Sequence, residues 1–127
     1  MIRVCLVDDQ TLVRQGIRSL LALDDGIEVV AEAGDGRQAV ELIPQVRPDV
    51  VLMDLSLPDG SGYDLLEHMA GNDDVGFPPV IVYTGRALSR EEEQRLRRYS
   101  KSIIIKGARS PERLLDEVTL LDRKSVV

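Results

Sequence analysis

Val50-Val51-Leu52-Met53-Asp54 is an uninterrupted apolar run that stops on a carboxylate, and the chain repeats this device three more times. Val4 to Val7 runs into Asp8-Asp9, Val80 to Tyr83 into Thr84, and Ile103 to Ile105 into Lys106. Near-continuous apolar runs of this length are what strands look like when both faces of a parallel sheet are covered. If the runs lie parallel in one sheet, three carboxylates, a hydroxyl and an ammonium share one edge of it. That set of groups suits phosphoryl transfer onto Asp54.

Along the chain, strand-length segments alternate with segments of helical period. Ile2 to Val7 is followed by a helix over Thr11 to Leu23, with Val13, Ile17, Leu20 and Leu21 on its apolar stripe. Ile27 to Ala33 reads as the second strand, and Gly36 to Val46 as a helix that Pro44 ends or kinks. After the third strand, Val50 to Asp54, Ser61 caps a third helix with Gly71 past its end. Val80 to Thr84 is the fourth strand. Ser89-x-x-Glu92 is a capping box for a fourth helix. Ser102 to Ile105 is the fifth strand, and Ser110-Pro111 opens a fifth helix with Leu114, Leu115, Val118 and Leu121 on its inner face.

Connections that contain a helix make neighbouring strands parallel, with right-handed crossovers. The fold class is therefore α/β: a three-layer sandwich with a five-stranded parallel sheet and five helices. Periodicity leaves the strand order open between the two doubly wound arrangements. The fourth helix differs from the rest, because Arg90 to Ser100 is polar nearly all round and has only Leu96 and Tyr99 to bury. Such a helix is expected to dock loosely. Asp122 to Val127 reads as a tail or the start of a linker, which leaves residues 1–121 as one domain.

Composition narrows the function. A net charge of −6 argues against direct nucleic-acid binding by this domain. No apolar stretch is long enough to span a membrane, and the N-terminus lacks a signal-peptide pattern. The single cysteine, Cys5, lies inside the first apolar run, as expected of a small buried hydrophobe in the reduced cytoplasm.

In open α/β sheets, ligands bind beyond the carboxyl ends of the strands. Asp8, Asp9 and Asp54 meet there if the first and third strands are neighbours. A divalent cation relieves their mutual repulsion, and Mg2+ suits the task because it takes one or two carboxylates, keeps waters and leaves positions for phosphate oxygens. Asp54 is the candidate nucleophile, since carboxylates form aspartyl-phosphate intermediates. The transferring group spreads charge over three equatorial oxygens, which the Thr84 hydroxyl and the Lys106 ammonium can share with the metal. A single Asp after a strand is ordinarily a turn residue or a helix cap. The signal is the joint placement of these groups.

The pieces Val7-Asp8-Asp9, Met53-Asp54-Leu55-Ser56-Leu57-Pro58 with Gly60 and Gly62, Tyr83-Thr84-Gly85 and Lys106-Gly107-Ala108 make the chain resemble the receiver domain of bacterial two-component response regulators. The resemblance implies the flavodoxin-like strand order 2-1-3-4-5. It implies that Asp54 takes a phosphoryl group from the phosphohistidine of a sensor histidine kinase or a histidine phosphotransfer protein. Asp8, Asp9, Asp54 and the Ser56 carbonyl would hold Mg2+, with Thr84 and Lys106 reading the phosphate. An output domain or partner protein is then expected at the face built from the fourth helix, fifth strand and fifth helix, and the family also admits a phosphorylation-dependent dimer. Turnover of a separate substrate is not expected.

The N-terminal stretch up to about Val50 resembles receivers with a helix-turn-helix output, and the segment from Asp54 onward resembles receivers of hybrid sensor kinases. Gly107 and Ile103 depart from the family's usual proline and aromatic switch residue. Ser56 and Arg86 occupy positions that tune phosphate lifetime in similar receivers. The competing readings are a degenerate receiver acting as a protein-interaction module and an enzyme on the same fold. Ser56 stands where a haloacid-type phosphatase needs a second Asp. Asp8-Asp9-Gln10 stands where a flavin protein needs a Ser/Thr/Gly-rich loop.

Overall fold

The strands Ile2–Val7 (β1), Ile27–Ala33 (β2), Val50–Met53 (β3), Val80–Thr84 (β4) and Ser102–Ile105 (β5) form one sheet in the order β2-β1-β3-β4-β5. Every neighbouring pair is parallel. The computed structural model describes residues 1–54, 78–84, 89–97, 102–105 and 110–125, with the backbone alone for 102–105, 110–111 and 121–125. Four helices lie among the described residues: Thr11–Leu21 (α1), Gly36–Val46 (α2), Arg90–Arg97 (α3) and Ser110–Ser125 (α4). The helix expected after Ser61, with its stop at Gly71, and Tyr99 lie outside the described residues.

The strand period of two sorts the core into two layers. Cys5, Val7, Val51, Met53, Val80 and Val82 point to one face of the sheet and pack with Ala39 and Ile43 of α2 and Leu96 of α3. Val4, Leu6, Val50, Leu52 and Ile81 point to the other and pack with Ile17 and Leu21 of α1 and Leu114 and Val118 of α4. In α1, α2 and α4 the buried pair is spaced i,i+4, so one side of each helix seals the sheet. Burying a Leu or Ile in this way contributes about 1.5–3 kcal/mol per side chain. With 3% aromatics in the chain, aliphatic burial supplies nearly all of the core.

Three element ends differ from expectation. β3 ends at Met53, so Asp54 stands just past the strand. α1 stops at Leu21 and not at Leu23, because Leu23 is exposed and its N–H bonds to the Leu20 carbonyl in a tightened turn. α4 runs to Ser125. The α2 prediction holds to the residue: Pro44 falls in the last turn and the chain leaves the helix at Arg47, in a left-handed conformation with φ 52°. The Ser89 capping box forms in both directions. The Ser89 Oγ accepts from the Glu92 N–H at 3.1 Å, and the Ser89 N–H donates to Glu92 Oε1 at 3.4 Å. A second cap went unread in the sequence. The Asp35 carboxylate accepts from the Gln38 N–H, and the Gln38 side chain accepts from the Gly34 N–H, each at 2.8 Å.

α3 is anchored at one of the two apolar residues that Arg90 to Ser100 offers. Leu96 is fully buried in the core layer on this face of the sheet, while the remaining residues of the helix stay on the surface or half-buried. A Glu93–Arg97 pair, one helical turn apart, forms at 2.8 Å on the exposed side, where it is worth only a few tenths of a kcal/mol.

Cys5 is buried in the middle of β1, and burial pushes its thiol from 9.0 up to about 11. Desolvation penalises the thiolate, so the folded chain keeps the proton that the unfolded chain releases near pH 9. Stability from this source is complete below pH 9 and is lost as pH rises toward 11, a fall of about 2–3 kcal/mol. Urea titrations of wild type and Cys5→Ala between pH 8 and pH 11 are expected to diverge by that amount. Parallel pH slopes in the two proteins would remove the thiol as the cause.

Candidate functional site

Val7 of β1 stands opposite Met53 of β3, so the next residues, Asp8 and Asp54, begin side by side at the carboxyl ends of two central strands. The ladder continues into both. The Asp54 N–H donates to the Val7 carbonyl at 2.9 Å, and the Asp8 N–H donates to the Ala33 carbonyl at 3.0 Å. Each acid is thus fixed by the last rung of the sheet. Asp8 and Asp54 are buried and Asp9 is exposed. One carboxylate oxygen from each of the three lies within 4.8 Å of the other two.

Two full negative charges at that separation repel by roughly 3 kcal/mol at an effective dielectric near 20. An all-oxygen, all-carboxylate set suits a hard divalent cation such as Mg2+. Asp8 also does a structural job, since its Oδ1 accepts from the Gln10 N–H at 2.8 Å and shapes the turn into α1. Gln10 at the N-cap makes no side-chain cap of its own.

Thr84 closes β4 one strand further along and is fully buried. Among the described residues the buried polar or charged side chains are Asp8, Asp54 and Thr84, and all three sit at carboxyl ends of adjacent strands. Thr84 pairs with Ile105, the residue before Lys106. Lys106, Ser56, Arg86 and Gly107 lie outside the described residues, as does the rest of the 55–62 stretch. Ile103 is in β5 opposite Val82.

Three residues that the sequence reading passed over stand behind the acidic turn. Arg14 of α1 donates from Nη1 to the Asp8 carbonyl and from Nε to Glu32 Oε1 at 3.3 Å. It also reaches the Thr11 hydroxyl at 3.4 Å from Nη2. Arg18, one turn on, meets Glu32 Oε2 at 2.6 Å. The available signal was an i,i+4 arginine pair bordering the apolar stripe of α1, together with a glutamate near the end of an otherwise apolar strand.

Residues 4–119 match the family model of the response regulator receiver domain, and the chain belongs to that family. It is 52% identical over 87 residues to the nitrate/nitrite response regulator protein NarP of Escherichia coli (strain K12), a match covering 68% of this chain and 40% of that protein. It is 31% identical over 130 residues to a protein-glutamate methylesterase/protein-glutamine glutaminase of Paramagnetospirillum magneticum, covering 99% of this chain and 36% of that protein. The chain therefore spans well under half the length of either relative. Its fold is similar to the isolated REC domain of RcsB from Salmonella enterica serovar Typhimurium, determined in the presence of the phosphomimetic BeF3−. The TM-score is 0.83 at 26% identity, over 96% of this chain and 88% of that one. No helix among the described residues is long and apolar enough to cross a membrane.

Proposed function

We propose that this receiver uses Asp54 as its phosphoacceptor in two-component signalling, with Asp8, Asp9, Asp54 and the Ser56 carbonyl holding Mg2+. The observation that carries the reading is the convergence of three carboxylates at the ends of β1 and β3, beside the buried Thr84 of β4. The donor is the phosphohistidine of a sensor histidine kinase or a histidine phosphotransfer protein. An Asp54 oxygen attacks phosphorus, an O–P bond forms, the N–P bond of the donor breaks, and the imidazole leaves with the electron pair. The bound cation supplies charge neutralisation for the carboxylates and the incoming phosphoryl oxygens. Thr84 offers a hydrogen bond to one phosphoryl oxygen and Lys106 pairs with another.

The consequence is carried to a partner or output domain at the surface made by Arg90–Arg97, Ser102–Ile105 and Ser110–Ser125. We read residues 1–121 as the receiver unit and 122–127 as a tail or linker start, in a cytoplasmic protein with no separate substrate turnover in this domain. The methylesterase relatives carry such an activity in their names, and they extend well beyond the matched stretch.

The test is incubation with acetyl phosphate and Mg2+, read by intact mass. Here the P–O bond to acetate breaks in place of the N–P bond. One phosphoryl group is expected to add, at Asp54, and chelation of the metal is expected to prevent it. Labelling that ignores the chelator, or that maps elsewhere, would overturn the assignment.

A further inference from the structure

The register of β1 against β2 slips once. Val4 stands opposite Val29, but Cys5 stands opposite Ala31, so Val30 is an extra residue in β2. Side chains alternate faces along a strand, so one extra residue moves every later side chain to the opposite face. In unbroken register, Leu6 would face Ala31. With the bulge it faces Glu32, on the side of the sheet covered by α1. Ala31 and Ala33 turn to the other layer, where they pack with Cys5 and Val7. The bulge therefore aims a carboxylate at α1.

Glu32 meets two arginines there. Its Oε1 takes the Arg14 Nε at 3.3 Å, and its Oε2 takes the Arg18 Nη1 at 2.6 Å. Arg14 is only 18% exposed at its side chain, against 59% for Arg18, so the Arg14 arm of the fork is the shielded one. Its remaining guanidinium nitrogens reach back to the Asp8 carbonyl and the Thr11 hydroxyl, at the two ends of the turn that carries Asp9. An exposed ion pair would contribute little. A planar guanidinium locked by a carboxylate on one edge and bonded to the backbone of a metal-binding residue on the other has a different use.

We infer that Arg14, oriented by Glu32 across the β2 bulge, is a positioning residue that braces the Asp8-Asp9 turn for Mg2+ and so sets the metal affinity of the receiver. The inference rests on the proposed Mg2+ site. It carries a sign that separates it from simple charge. Arg14 is a cation next to a cation site, so removing it as a charge should tighten Mg2+ binding. Removing it as a brace should weaken Mg2+ binding.

The experiment is calorimetric titration of Mg2+ into the full chain as wild type, Arg14→Met, Arg14→Lys and Arg18→Met, with acetyl phosphate labelling run in parallel. Arg14→Met keeps most of the apolar stem and loses every donor. It is expected to raise the Mg2+ Kd about tenfold, the usual scale for an outer-shell partner of a metal ligand. Its labelling rate at saturating Mg2+ should stay near wild type, because the reacting groups are untouched. Arg14→Lys, which restores one donor, should recover part of the affinity. Arg18→Met deletes the same charge from the same helix without touching Asp8 and should not raise the Kd.

Unchanged or tighter Mg2+ binding in Arg14→Met overturns the brace, and so does an equal weakening in Arg18→Met. If Arg14→Met does not fold, the Arg14→Lys and Arg18→Met pair decides, and equal affinities in those two overturn it. A wild type that neither binds Mg2+ nor labels removes the site reading itself, and the brace with it. That outcome is visible before any variant is compared.

Discussion

Asp54→Asn is expected to take up no phosphoryl group from acetyl phosphate under conditions that label the wild-type chain. The amide fills the same space at the end of β3 but lacks the charge and the nucleophilic oxygen pair that attack phosphorus. The backbone placement should survive the change, because the Asp54 N–H bond to the Val7 carbonyl does not involve the side chain. The substitution also tests the electrostatics of the cluster in the opposite direction. Without metal, it takes one of three crowded charges out of a site whose other buried acid, Asp8, stays in place. The variant should then be more stable than wild type by about 1 kcal/mol, raising Tm by roughly 3 °C. With Mg2+ at about 100 times its Kd, the wild type should gain roughly 2.7 kcal/mol. The variant, short of one ligand, should gain much less. Intact-mass labelling and thermal scans with and without Mg2+ read both effects. Equal labelling of wild type and variant would sink Asp54 as the acceptor. No labelling of the wild type with retained partner binding would favour a phosphorylation-independent interaction module.

The second large effect is expected at Leu96. It is the one buried residue of α3 and is completely enclosed, so Leu96→Ala leaves a cavity in the core layer beneath the helix. Large-to-small changes of this kind cost about 2–5 kcal/mol. The eight residues of α3 are mostly charged, and a helix that short is not stable by itself in water. The loss should therefore appear first as local opening. Amides from Glu93 to Arg97 should lose hydrogen-exchange protection, while β1 and β3 keep theirs. Globally, the urea midpoint should fall by roughly 1–2.5 M for an m-value near 2 kcal/mol/M. Protection of α3 that survives the truncation would show that something other than Leu96 holds the helix down. Glu93→Ala, which removes only the surface partner of Arg97, is the matched control and should cost a few tenths of a kcal/mol.

The sequence carries the strand ends openly, and physics explains why. In a parallel sheet covered on both sides every strand residue is buried, so β3 and β4 read as apolar runs and the first polar residue marks where cover ends. Asp8, Asp54 and Thr84 were legible for that reason, and so were the spans of all five strands apart from the Asp54 boundary residue. Strand order was not legible from periodicity, which reports burial and says nothing about neighbours. The order 2-1-3-4-5 came from the resemblance and agrees with the sheet.

The bulge at Val30 left no trace, because Val29-Val30-Ala31 is apolar throughout and fits either face. With the bulge unseen, Glu32 had no predictable partner, and Arg14 looked like one more charge on a solvated helix. Leu96 was noticed, but a single leucine among charges gives no measure of how deeply it is buried. Cap chemistry was legible where it used a hydroxyl, at Ser89, and was missed where Asp35 and Gln38 did the same work.

The strand order has a consequence for how this protein can change over time. The acids stand on β1 and β3, each hydrogen-bonded to neighbours on both sides, whereas β5 closes the sheet with one neighbour only. Margins of a sheet open at lower cost than its middle. Substitutions that loosen or reshape β5, α3 and α4 can therefore accumulate while the acid-bearing strands keep their geometry. If the partner docks on that margin and phosphate on the acids, as proposed, the two properties are mechanically separable in this arrangement. A lineage, or an engineer, could then rewrite whom the molecule addresses and leave untouched how it is switched on.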